Sequence, residues 1–420
     1  MIDPLYLIFI FIVYFLITFT YLLKRDIFIG GYYLAIFIYT IFAQIGYVYF
    51  PFLSELINAY YGIDYFYKYY YFVFSSMIFL FLVLFFYLKN VNFYTYYYTV
   101  KYKNNNFRLL IFTYIIIFFL FALIYKFYIH YDELSYESLP SGDYMIFTIL
   151  FKNNTMITYA LYAIVRIYLY RKIKFYFLFL FLFLFLFESF IILKIGSRTD
   201  LLSFFIGIIF YELYLAKINN MTSVVIKKGI LIFIPILIFA QFIEKNRGGE
   251  IIGKDNIIYT ILYKDYYPPS HILMTAIKYD YIDPEKVISS NFSNSLVKLN
   301  VPYLQEEIGN LMIPGSSDRQ RGFAMFNFTE GFIFMGFYGF IYNGLVFSIL
   351  IIFWRNLARS NNVYFNAFIY GLLATQLLNL ARSQSSYFIK DLYMVFLIPV
   401  VLYILATGLR FIKNTQKCTK

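Results

Sequence analysis

The sequence predicts an all-α, polytopic integral membrane protein with about eleven transmembrane helices and one long external loop containing short helices. Three observations carry that expectation. The 420 residues are 62% hydrophobic, 25% aromatic and only 14% charged, far outside the range of a soluble globular domain. Runs such as LYLIFIFIVYFLITFTYLL (5–23) and FYFLFLFLFLFLFESFIILK (175–194) match the roughly 20 apolar residues that cross about 30 Å of hydrocarbon as a helix. Strand-like alternation over about ten residues, the mark of an outer-membrane barrel, is absent.

Apolar windows place the helices at about 5–23, 27–49, 69–88, 109–129, 148–170, 175–194, 200–216, 229–243, 328–353, 363–379 and 391–411. The first run has no basic stretch before it and no small-residue cleavage site after it, so it reads as a retained helix. The fifth is interrupted by Lys152, Asn153 and Asn154. Cys418, the single cysteine, leaves no internal disulfide.

Orientation follows from the basic residues between windows. Lys24 and Arg25, Lys89 to Arg108, Arg166 to Lys174, Lys217 to Lys228, Arg355 and Arg359, and Arg410 to Lys420 lie in alternate connections, which the positive-inside bias assigns to the cytoplasm. The other set includes the acidic HYDELSYESLPSGD (130–143). The N-terminus is therefore expected on the outward side of the membrane and the C-terminus in the cytoplasm. The net charge of +12 is spread over short loops, so topology explains it better than nucleic acid does. Three regions result: 1–243 with eight helices, a large periplasmic loop at 244–327, and 328–420 with three helices and a cytoplasmic tail. From Glu244 to Arg321 the loop holds nine Lys or Arg against ten Asp or Glu, so it is no polybasic tether. Proline steps at 268–269, 284, 302 and 314 divide it into short helices and turns.

The stretch KIGSRTDLL (194–202) falls in an outward turn between the sixth and seventh windows. Ser197 and Asp200 fit a helix-capping pattern. Arg198 is not needed for that cap, and beside free backbone N–H groups it makes an anion site. Arg247 in NRGGE, Arg319 and Arg321 in SSDRQRG, and Arg382 in ARSQSS also lie outward at helix ends. The positive-inside bias disfavours arginine there. Several guanidiniums near one membrane surface suggest planar, bidentate recognition of a lipid-linked phosphate or pyrophosphate.

The base candidates are few. Glu330 in FNFTEGF lies at the outer end of the ninth window, beside apolar neighbours and close in sequence to Arg319 and Arg321. It reads either as a general base or as a first-turn acid pairing with those arginines. His271 in YYPPSHIL lies mid-loop after two prolines, where a surface role competes with a catalytic one. Glu244 and Glu250 flank Arg247, and Glu188 interrupts an apolar run, where an ionisable group is expensive. Gly331, Gly336, Gly339 and Gly344 read as small-residue packing positions. No D-x-D pair and no Cys or His cluster points to a metal, so neither metal nor cofactor is expected.

The motif GSRTDLL after a hydrophobic helix, the long external loop, and RGFAMFNFTEGFIFMGFYGF (321–340) at its exit resemble the Wzy-type O-antigen or capsule repeat-unit polymerases. The resemblance implies an integral-membrane glycosyltransferase that moves a growing glycan from undecaprenyl pyrophosphate to the non-reducing end of a lipid-linked repeat unit at the periplasmic face. It places Arg198, Arg247, Arg319 and Arg321 among the pyrophosphate-binding arginines. It also implies the bilayer, the undecaprenyl-pyrophosphate-linked oligosaccharide, a chain-length regulator and a flippase as partners. An O-antigen ligase shares nearly all these features. A flippase or other transporter would place charge in mid-membrane on both halves of a repeat, and a purely structural subunit would not need interfacial arginines.

Overall fold

The computed structural model describes residues 3–49, 63–90, 154–169, 198–218, 270–295, 304–312, 325–359 and 363–407. Among them there is no strand; the elements are helices and their connections. The windows at 109–129, 175–194 and 229–243, the acidic loop, Glu188, Glu244 and Glu250 lie outside the described residues. The chain divides into two units, Met1–Phe93 with Ile251–Asn356 and Gln376–Lys390, and Tyr94–Glu250 with Leu357–Thr375 and Asp391–Lys420.

In the first unit, α1 (Pro4–Arg25) is started by Asp3, whose carboxylate accepts from Leu5 N at 2.9 Å, with Pro4 at the first helical position. It ends on Lys24 and Arg25, favourable at a helix C-terminus. Asp26 then turns the chain. Its extended backbone stops α1, and its Oδ1 accepts from Phe28 N and Ile29 N at 2.9 and 3.1 Å, opening α2 (Ile27–Tyr49). The two helices form an antiparallel pair closed by stacked Phe15 and Phe37 and by Thr18 Oγ1 donating to Tyr33 OH. The outer face of α1 leaves Phe9, Leu16 and Ile17 more than half exposed, and α3 (Ile63–Asn90) exposes Tyr71, Leu82 and Phe86. Stripes of this kind on long apolar helices are lipid-facing surface.

Among the described residues four stretches are long and apolar enough to cross a membrane: Pro4–Arg25, Ile27–Ile45, Asp64–Lys89 and Phe328–Leu357. The chain is thus a multi-pass membrane protein in contact with the bilayer. The fourth stretch is not one rod. It comprises α9 (Phe328–Met335), a 3-10 turn at Gly336–Tyr338 and α10 (Gly339–Leu357). Glu330 meets Tyr342, Phe334 stacks near Tyr342, Asn343 Nδ2 donates to Phe328 O, and Phe328 lies beside Phe347. Pairs that spread symmetrically about residue 336 define a helical hairpin. Gly336 makes the reversal at φ 58°, a conformation open to glycine. Gly331 and Gly339 touch backbone to backbone where any Cβ would collide, and Gly344 lies flat against Phe79 and Leu80 of α3. The packing role expected of these glycines is what the structure shows.

The connection from Ser270 to Met312 is helical in three pieces: α6 (270–278), α7 (Pro284–Ser295) and α8 (Leu304–Met312). Where single spans are expected at 363–379 and 391–411, the chain forms four short helices: α11 (Val363–Ala374), α12 (Leu377–Ala381), α13 (Ser386–Val395) and α14 (Leu397–Thr407). The break at 382–385 belongs to the first unit. Asn327 N donates to Ala381 O at 3.2 Å, so the hairpin satisfies part of the backbone that the break frees.

In the second unit, α4 (Asn154–Leu169), α5 (Arg198–Ile218) and α11 pack through Gly207 and Gly371. Tyr159 OH donates to Phe368 O at 2.8 Å across this contact. Near the ends of α4 and α5, Glu212 takes Arg166 Nε at 2.7 Å and Tyr162 OH at 2.8 Å.

Candidate functional site

Two carboxylates are buried among the described residues, Asp26 and Glu330. They lie toward opposite ends of α10. Arg355, in the last turn of α10, donates Nε to Asp26 Oδ2 at 2.8 Å, which brings the α1–α2 turn and the end of α10 to one level. Glu330 faces Tyr342, in the first turn of α10.

Glu330 has no cation beside it among the described residues and is surrounded by donors instead. Asn291 Nδ2 reaches Oε1 at 2.6 Å, and Tyr342 OH makes a short bond to the same oxygen. Ser385 gives two bonds of 2.6 Å, Oγ to Oε1 and N to Oε2. Ser385 precedes the ten-residue α13, so the carboxylate also lies at the positive end of a helix dipole. Charge-assisted bonds of this kind are the means by which an anion is tolerated away from water.

Each partner is fixed by its own element. Asp283 N donates to Ile333 O at 2.8 Å and Asp283 Oδ1 caps Lys286 N at 3.0 Å, so α7 begins at the end of α9 and runs back along it, bringing Asn291 level with Glu330. On the far side of α7, Lys286 Nζ lies 2.5 Å from Glu307 Oε2, which also accepts from Tyr281 OH at 2.9 Å. The carboxylate raises both the Lys286 ammonium and the Tyr281 phenol above their ordinary values by hydrogen bonding, with burial the larger cause for the phenol. Ser385 is held by the 382–385 break, where Gln384 Oε1 accepts from Ser290 Oγ of α7 at 3.3 Å.

Against this cluster lies a cavity of about 460 Å³. Its polar wall is Asn291, Tyr342, Ser385 and Ser386. The remainder is apolar, with Ile288, Phe292, Phe334, Val346, Leu350 and Ile389. Ile288, Phe292 and Ile389 are also partly exposed on the outer surface. Glu330 stands one side chain behind the wall and communicates with the cavity through Tyr342, Asn291 and Ser385.

The other sequence-predicted residues fall elsewhere. His271 is not a surface loop residue. It lies in α6 and is wholly buried, next to Ser270, whose Oγ donates to Tyr39 O at 2.9 Å. Burial pushes its imidazole down to about 3, and it does not line the cavity. Arg382 is half-buried at the start of the 382–385 break, with Nη2 donating to Asn379 Oδ1 at 3.1 Å. Arg198 is the first residue of α5, one position after the capping serine expected at 197. Arg247, Arg319 and Arg321 lie outside the described residues, so Glu330's described partners are Asn291, Tyr342 and Ser385. Sequence reasoning missed these three and Ser386. Their only signal was polarity within apolar surroundings, which is too common to single out. Among the described residues no three His, Cys, Asp or Glu side chains group as metal ligands. Compared with family models, curated proteins and solved structures, the chain matches none.

Proposed function

We propose that the protein is an integral-membrane glycosyltransferase that polymerises lipid-linked repeat units of a surface polysaccharide at the periplasmic face of a bacterial inner membrane. The observation that supports this reading best is the buried Glu330 cluster, backing a cavity that is polar on one wall and apolar on the others. An amphiphilic substrate carrying sugars on a hydrocarbon chain has that division of character.

In the proposed reaction an acceptor hydroxyl oxygen attacks the anomeric carbon of the donor glycan. A carbon–oxygen bond forms there as the bond to the pyrophosphate oxygen breaks. The hydroxyl proton passes through Tyr342 OH or Ser385 OH to Glu330, the general base behind them. The departing pyrophosphate keeps the electron pair, and its charge is assigned to the guanidiniums of the first unit, Arg319, Arg321 and Arg382. The Asp26–Arg355 end, beside Lys24 and Arg25, is the cytoplasmic side in this orientation.

A second reading, transport of the lipid-linked glycan, draws on the hairpin and the broken helices around a buried acid, a pattern that transporters use for binding sites. Deleting the gene in its host and running the surface glycan on a gel separates them. A polymerase leaves single repeat units on the acceptor, a ligase leaves the acceptor bare with long polymer on the carrier lipid, and transport removes surface glycan of every length. Restoration of the ladder by wild type but not by Glu330→Gln, at equal protein level, supports the polymerase. A normal ladder in the deletion strain overturns it.

A further inference from the structure

The Glu330 cluster also fixes the hydrogen-bonding sense of the cavity. Asn291 Nδ2, Tyr342 OH, Ser385 Oγ and Ser385 N all donate to the carboxylate. With those protons directed away, Tyr342 and Ser385 offer the cavity lone pairs, and Asn291 keeps one amide N–H beside its carbonyl oxygen. Asn291 Oδ1 is buried without a partner, and so is Ser386 Oγ, on a residue 2% exposed. Among the described lining residues none is charged. An incoming phosphate would meet oxygen lone pairs with a carboxylate behind them and two neutral donors, the second Asn291 N–H and the Ser386 hydroxyl, with no cation among the described lining residues. A sugar ring or polyol would bring O–H donors to acceptors that lack them, and each bond would satisfy an atom that is costly to leave unmade. The apolar remainder of the wall would take the C–H face of a sugar ring or a short alkyl group.

We infer that the cavity between α7, α10 and α13 binds the neutral, hydroxyl-bearing acceptor end of an amphiphilic substrate in preference to the phosphorylated group that joins its glycan to its hydrocarbon chain. This rests on reading the cavity as a substrate site. It divides the labour within that site: the acceptor hydroxyl binds beside Asn291, Ser385 and Ser386, and pyrophosphate binds elsewhere.

The test uses the full-length protein in lipid nanodiscs free of sugar detergents, with an alkyl β-glucoside carrying a diazirine on its chain. Photolabelling followed by peptide mass spectrometry should place adducts on α7, on α10 near 346–350 and on 386–389. Unlabelled alkyl glucoside should compete about ten-fold better than an alkyl phosphate of equal chain length, the ratio expected if one buried polar mismatch separates them. Ser386→Ala should weaken labelling about five-fold, the worth of one ordinary hydrogen bond. Ile389→Trp, which fills the apolar end, should abolish it. Equal competition by the alkyl phosphate, or labelling unchanged in both variants, overturns the inference. If Glu330→Gln destroys the polysaccharide ladder while the glucoside fails to label the cavity, the hydroxyl assignment falls and the polymerase reading stands. Labelling with a ladder indifferent to Glu330→Gln gives the reverse.

Discussion

Asp26 and Glu330 are both carboxylates buried toward the ends of one helix, and they are neutralised by different means. Asp26 is met by an arginine and caps α2, so its partners are a full cation and two backbone N–H groups. Glu330 is met by an amide, a phenol and a serine. Glu212, in the second unit, follows the Asp26 pattern with Arg166. A carboxylate locked to a guanidinium is a structural fixture, because taking a proton would strand the cation. A carboxylate held by hydroxyl and amide donors can accept a proton from one of them and remain hydrogen-bonded, which is what a general base requires. The difference also lies in the wall: Glu330's partners open on a cavity.

The comparison can be broken by four measurements. The largest effect is expected from Glu330→Gln, which under the proposed reaction should lower elongation about 10²- to 10⁴-fold, the usual worth of a general base, while the protein still assembles in the membrane. Retained activity would make Glu330 as structural as Asp26. Next, Arg355→Ala leaves Asp26 buried without its cation and should cost about 3–5 kcal/mol of stability, read as a lower midpoint of thermal unfolding in detergent. Turnover per folded molecule should be unchanged. Gly339→Ala drives a methyl group into the Gly331 carbonyl and should cost about 1–3 kcal/mol by overpacking. Because it loosens the arm that carries Glu330, it should lower turnover as well, which Arg355→Ala should not.

The smallest effect concerns pH. The folded protein keeps His271 neutral down to about 3, whereas the unfolded chain takes the proton below about 6.5. Stability from this residue is therefore constant above about pH 6.5. It falls as pH is lowered toward 3, by up to about 1.4 kcal/mol per unit. The difference between wild type and His271→Leu, followed by thermal unfolding from pH 8 to 4, isolates that slope. Parallel curves would mean that the imidazole takes its proton in the folded state at the same pH as in the unfolded chain.

Much of the helical plan was legible. The window at 27–49 coincides with α2 because Asp26 marks both the end of one helix and the start of the next, and charge in an apolar context is easy to read. The fold-back at 336 was not legible. An apolar run has the same periodicity whether it continues or reverses, and Gly336 was one glycine among four in the stretch. Glu330 stood out as an acid in an apolar run, but its neighbours did not. Asn291 and Ser385 lie 39 and 55 residues away in the chain, and only the meeting of the hairpin, α7 and the 382–385 break brings them together. His271 was misplaced because paired prolines suggest an exposed turn. Here they precede a helix whose apolar neighbours, Ile272 to Ile277, are buried with it.

The hairpin also bears on how the protein enters the bilayer. Eight residues of helix span about 12 Å, too short for α9 to insert as an independent segment, whereas the 19 residues of α10 reach about 28 Å. Biogenesis can therefore commit α10 first and leave α9 to dock afterwards through the Gly331–Gly339 contact. A hydropathy count of 328–357 gives one crossing whether the stretch is a straight rod or a hairpin, and so misses the shape.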